Sequence, residues 1–150
     1  MAWCECGGTS PALRPLWLEP AAAVRLRDFI ALSVALVSTP LACAMDLVER
    51  RRGTALIVSS AAVHAPPPEW PHYLAAKCAV EGLARAAATE YPGARVVVAR
   101  PPRLRTDLTN TPMGSLEGLS PDDAAARIVG RLLDPAPGSA RPELVEDFGA

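Results

Sequence analysis

The chain has a single lysine among its 15 basic residues, Lys77, four residues after one of its two tyrosines, Tyr73. On a helix that spacing puts both side chains on one face, a turn apart. A free phenol, with a pKa of about 10, is a poor proton shuttle near neutrality. A neighbouring ammonium favours the phenolate. Ser60 lies 13 residues before Tyr73. Its hydroxyl would hold a carbonyl oxygen while Tyr73 supplies the proton that carbonyl reduction by hydride requires. Arginine would bring charge to position 77, but its planar fork is not a compact, rotatable donor. Tyr-x-x-x-Lys alone is a weak signal. In this composition, a randomly placed lysine falls four residues after a tyrosine about once in 75 times.

Chemistry of this kind needs elements that bring the three residues together. Residues 21–50 carry Ala and Leu at helical spacing and end in Arg50, Arg51 and Arg52, cations that suit a helix C-terminus, with Gly53 as breaker. Thr54–Ser60 is a short apolar run of the buried parallel-strand type. "AAVHAPPPEWP" reads as a proline-stiffened loop. A second helix spans about His72 to Tyr91 and a second buried strand Ala94 to Pro101. After a long polar loop, Ser120 caps a third helix, with Pro121 at its first position and acids in its first turn. "ELVEDF" suggests a last short strand. Alternating helices and strands imply an α/β layer structure with a parallel sheet. Sites in such sheets gather beyond the carboxyl ends of the strands, where Ser60 falls. Residues 1–20 read as irregular and 21–150 as one domain.

The formal net charge is −1. Scattered arginines balanced by acids argue against a nucleic-acid surface. The four cysteines make no Cys-x-x-Cys pair and no zinc spacing, so no metal is expected. Cys4-Glu-Cys6 reads as part of an unstructured tail, and Cys43 and Cys78 as buried thiols. This usage suggests a reducing compartment, the cytoplasm. The N-terminus lacks the apolar core of a signal peptide. Phe29 to Met45 is uncharged, but it contains Ser33, Ser38, Thr39 and Pro40 and is shorter than the roughly 20 residues of a membrane span. It reads as a helix buried against other protein. His64 and His72 read as loop or helix-start surface. Trp70 reads equally as a wall of a substrate pocket or as a loop anchor.

Three segments resemble the C-terminal, catalytic half of the short-chain dehydrogenase/reductase family: "RRGTALIVSSAAV", "YLAAKCAVEGLARAAATEY" and "ARVVVARPPRLRTDL". The resemblance covers roughly Asp28 to Leu133. It implies a partial Rossmann-like parallel sheet with flanking helices, lacking the N-terminal dinucleotide-binding half. It implies that Ser60, Tyr73 and Lys77 are catalytic. Tyr73, Lys77, Pro101, Leu104 and Thr106 would meet the nicotinamide end of NAD or NADP. The implied activity is carbonyl and secondary-alcohol interconversion. The family's Gly-rich phosphate turn is not seen, Pro102 replaces the Gly of its Pro-Gly, and its helical asparagine has no match, Ser33 or Ala35 falling near that place. The cofactor would then need a partner supplying the N-terminal half. The alternative is a non-catalytic remnant that dimerises. In the family the two helices matching 21–50 and 72–91 form a four-helix bundle between subunits. The residues expected to face a partner are Leu32, Leu36 and Leu41 on the first, and Ala76, Val80, Leu83 and Ala87 on the second.

Overall fold

The structure is a computed structural model and describes residues 20–66, 70–106, 118–133, 142–146 and 148. Cys4, Cys6, nearly all of the irregular 1–20 segment and most of the long polar loop lie outside these residues. The order is α1 (Pro20–Arg50), β1 (Thr54–Val58), a 3₁₀ turn (Ala61–Val63), α2 (Pro71–Glu90), β2 (Arg95–Ala99), α3 (Pro121–Leu133) and β3 (Glu143–Val145). The strands form one parallel sheet in the order β1-β2-β3, with Thr54 opposite Arg95 and Val97 opposite Glu143. This is the α/β architecture that the alternation predicts.

Strand β2 is the axis of the molecule, and all five of its residues are buried. Its side chains alternate between faces. Val96 and Val98 turn to α1 and α2, where they pack with Met45, Ile57, Val80 and Ala84. Val97 and Ala99 turn to α3 and pack with Ala124, Ile128, Val145 and Phe148. Burying each of these valines contributes about 1.5–3 kcal/mol. Helix α2 presents Ala76, Val80, Ala84, Ala87 and Ala88 inward, and such small side chains let it lie close to the sheet. The expectation that Ala76, Val80 and Ala87 face a partner is therefore corrected: their own chain buries them.

Strand β1 also departs from expectation. Its burial alternates, and Leu56 and Val58 are 38% and 48% exposed. It is the edge of the described sheet, and α3 covers β2 and β3 but not the outer face of β1. A continuous apolar run identifies a strand without saying which of its faces is covered.

Helix α1 uses one face only. Val37, Leu41, Met45 and Val48 pack inward, while Leu32 and Leu36 are 60% and 65% exposed. The uncharged stretch is thus not enclosed by the described chain. By length and composition α1 is long and apolar enough to cross a membrane, over Ala23–Arg50. Pro40 sits inside it, where its ring removes one helical hydrogen bond. Cys43 and Cys78 are exposed free thiols rather than buried ones.

The end of α1 is a Schellman turn. Gly53 N donates to Val48 O and Arg52 N to Glu49 O. The residue in the left-handed conformation is Arg52, with φ 47°, and not the expected breaker Gly53. The start of α3 is as predicted. Asp123 N donates to Ser120 Oγ at 3.0 Å, and the Ser120 hydroxyl donates to Asp123 Oδ2 at 2.7 Å. Arg95 holds the far end of α3. Its guanidinium donates to the carbonyls of Arg131 and Leu132 and pairs with Glu143 at 2.8 Å.

Candidate active site

The carboxyl ends of three parallel strands share one edge of the sheet, and the candidate residues lie there. Pairing between β1 and β2 runs past the strands proper: Ser59 N donates to Ala99 O and Ala61 N to Pro101 O. Odd-numbered residues of β1 therefore bond to β2, and Val58 turns its carbonyl away from it. Lys77 takes that carbonyl, with Nζ donating to Val58 O at 3.1 Å.

Ser60 is extended, with φ −160° and ψ 148°, and caps the 3₁₀ turn that replaces the first part of the expected loop. Its Oγ accepts from Ala62 N at 3.2 Å. Among the described residues its hydroxyl hydrogen has no acceptor, so it remains a donor. Tyr73 stands in the first turn of α2, after Pro71 at a position suited to proline. Its phenol has no hydrogen-bond partner among the described residues. Its ring meets Trp70 edge-on, with centroids 5.4 Å apart and planes at 81°. Lys77 Nζ lies 5.6 Å from the Tyr73 ring centroid. Desolvation by burial holds the Lys77 ammonium below its ordinary pKa.

The residues expected to touch a nicotinamide follow β2. Pro101 is buried. Leu104 is half-buried and bridges to Leu119, and its carbonyl accepts from Thr106 N at 3.0 Å. Gly118 permits this bridge. Its φ is +128°, and a Cβ there would stand 2.6 Å from Arg103 O.

His72, read from sequence as surface, is buried with its ring edge-on to Phe29 at 4.8 Å, and burial lowers its pKa. It joins α2 to α1. His64 is exposed, as expected, but not idle. Its Nε2 lies 2.9 Å from Glu146 Oε1.

Sequence reasoning missed a buried polar group directly behind the site. Ser59 Oγ donates to Glu81 Oε1 at 2.7 Å. Arg100 grips the same carboxylate with two bonds, Nε to Oε1 at 2.7 Å and Nη2 to Oε2 at 2.6 Å. Its remaining nitrogen, Nη1, meets Glu146 and His64. The Arg100 bond holds the Glu81 carboxyl below the usual glutamate range, against the opposing effect of burial, and Ser59 assists. The same guanidinium lowers Glu146. One signal was available: Glu81 continues the four-residue stripe of Tyr73 and Lys77, on a helix whose buried face is otherwise His72, Val80 and alanines.

The short chain dehydrogenase profile matches residues 23–113, more than half of the chain. The chain belongs to that family. Among curated proteins none matches the sequence. Solved structures do. An alcohol dehydrogenase from the archaeon Thermococcus sibiricus, complexed with 5-hydroxy-NADP, superposes with a TM-score of 0.69 and 25% identity, over 87% of this chain and 55% of that one. Acetoin dehydrogenase from Enterobacter cloacae shares the fold, with a TM-score of 0.63 and 20% identity, over 81% of this chain and 53% of that one. The chain thus spans about half the length of each.

Proposed function

We propose that this short-chain dehydrogenase chain carries the reacting half of an NAD(P)-dependent oxidoreductase that interconverts a small carbonyl compound and its secondary alcohol. The observation that carries the reading is the setting of Lys77. It is the chain's one lysine, half-buried, tied to the end of β1 and placed beside the ring of Tyr73.

The donors fit the reacting end of a nicotinamide dinucleotide and its substrate. Ser60 Oγ–H and the Tyr73 phenol have no acceptors among the described residues, and Lys77 spends one of its three N–H bonds on Val58. A bound nicotinamide supplies the hydride. Ser60 would bind the carbonyl oxygen and Tyr73 would donate the proton to it as the alcohol forms. Lys77 would favour the phenolate that remains and would hold the ribose. Pro101, Leu104 and Thr106 would border the nicotinamide from the β2 side. Trp70, against Tyr73, would wall the substrate side.

The diphosphate end needs more than these residues offer. The described residues contain no Gly-rich turn opening a helix, the arrangement that receives a pyrophosphate. We infer that an N-terminal-half partner supplies it and pairs with the open edge of β1, beside the exposed Leu56 and Val58. The family's known soluble members suit a cytoplasmic location.

The test is a fluorescence titration of the purified chain, alone and with a candidate N-terminal half, using NADPH and NADH. Saturable binding that Lys77→Arg weakens, and turnover that Tyr73→Phe abolishes, is expected. Binding indifferent to Lys77→Arg would overturn the assignment. A second reading, a non-catalytic module that pairs with another copy, draws on the exposed Leu32 and Leu36 of α1.

A further inference from the structure

Behind Ser60, Tyr73 and Lys77 lies a row of polar side chains that the proposed reaction does not use. Ser59, Glu81 and Arg100 are 2%, 4% and 8% exposed, and among the described residues only His72 and Arg95 join them as buried polar or charged side chains. A buried ion pair is a poor device for stability, because apolar residues of the same volume do as well or better. It is a good device for position, because a two-bond arginine–carboxylate grip fixes distance and angle together.

The grip sits where position matters. Glu81 is one turn after Lys77 on α2. Ser59 stands between Val58, which holds Lys77, and Ser60. Arg100 is the last residue before Pro101, whose carbonyl anchors the turn that follows Ser60. One carboxylate therefore ties α2 to the ends of β1 and β2 at once. Arg100 extends the tie to Glu146, just beyond β3.

We propose that Glu81 and Arg100 are positioning residues for the Ser60, Tyr73 and Lys77 group, fixing the rotation and depth of α2 against the end of β1. The inference rests on reading that group as reactive, but its geometry can be tested without turnover. If the grip is lost, α2 is free to turn, Lys77 leaves Val58 O, and the Tyr73 phenol moves with it. A displacement of about 1 Å at such a site costs up to roughly 100-fold in rate.

The single lysine makes the test direct. The full chain labelled with ¹³C-lysine gives one ε-methylene signal by NMR, and that signal reports Lys77. Three variants are compared: Glu81→Gln, Glu81→Asp, and the double variant Glu81→Met with Arg100→Met. The double variant fills the same space without buried charge. Its melting temperature is expected to stay within about 4 °C of the parent. The expected result is that the Lys77 signal moves to the position of a solvated lysine in every variant that folds, the double variant included. A folded double or Glu81→Asp variant with the parent's Lys77 signal would overturn the proposal and leave the grip a matter of stability only. Where the chain turns over with its partner, kcat is expected to fall about 100-fold with KM within about twofold. Failure of the nucleotide titration would sink the reading of the site and leave the lysine measurement intact.

Discussion

Glu81 links the stability of the fold to pH. Its ordinary pKa is about 4.5, and the Arg100 bond lowers it in the folded chain. The folded carboxylate therefore adds stability that is fully present above 4.5 and is lost as pH falls through the folded value. Thermal unfolding from pH 7 down to pH 3 is expected to show a steep loss below about 4.5 in the parent and a shallower one in Glu81→Gln. Glu146 shifts in the same direction, but its exposed carboxylate contributes less. Parallel pH slopes would assign the acid loss to other groups. At pH 7, Glu81→Gln leaves Arg100 without its main partner, at a cost of about 3–5 kcal/mol. Tyr73 and Lys77 stood out in the sequence because their types are rare there and their spacing is helical, and Ser60 because it closes a strand-like run. Ser59, Glu81 and Arg100 were not, because they come from three elements and meet only once the chain is packed. A buried glutamate and a buried arginine look like any surface pair until the fold removes the water.

At the scale of elements, the sequence announced the three α-helices and three strands of the described residues, within a residue or two at most ends. What it left open was which faces are covered. A run such as "TALIV" is the same string on a central strand and on an edge. Helix ends were readable where a side chain makes the cap, as at Ser120. They were misread where the backbone makes it. Gly53 looked like the breaker, whereas Arg52 takes the left-handed conformation. Placing glycine there removes a steric cost that falls on any residue with a Cβ. Arg52→Gly is therefore expected to stabilise the chain by up to about 1 kcal/mol, read as a rise in the urea midpoint with an unchanged slope. A fall in the midpoint would mean that the Arg52 side chain contributes more than its backbone costs.

For the whole molecule, the asymmetry of α1 decides most. One face closes the core through Met45, and the other offers Val24, Leu32, Leu36 and Leu47 to solvent. An apolar stripe of this length on a lone helix commonly covers a partner. We expect the chain to sediment as a dimer or larger, and Leu32→Lys with Leu36→Lys to sediment as a monomer with unchanged helical content. A parent that is monomeric at micromolar concentration would remove the second reading and leave the stripe unexplained by pairing. The parentage of the fold was plain in the sequence. The exposed faces of β1 and α1 were not, since what covers a surface is written partly in what lies across from it.

The sheet also dictates an order of events. Thr54 pairs with Arg95, and Val97 with Glu143, so every strand contact waits for a distant stretch of chain. Contacts so far apart in sequence form slowly. The polar tie behind the site draws on positions 59, 81, 100 and 146, and so it closes only when the last of them has left the ribosome. The lysine helix can form early and dock loosely, and under the proposal above its register waits for Arg100, which grips Glu81 from β2's far end.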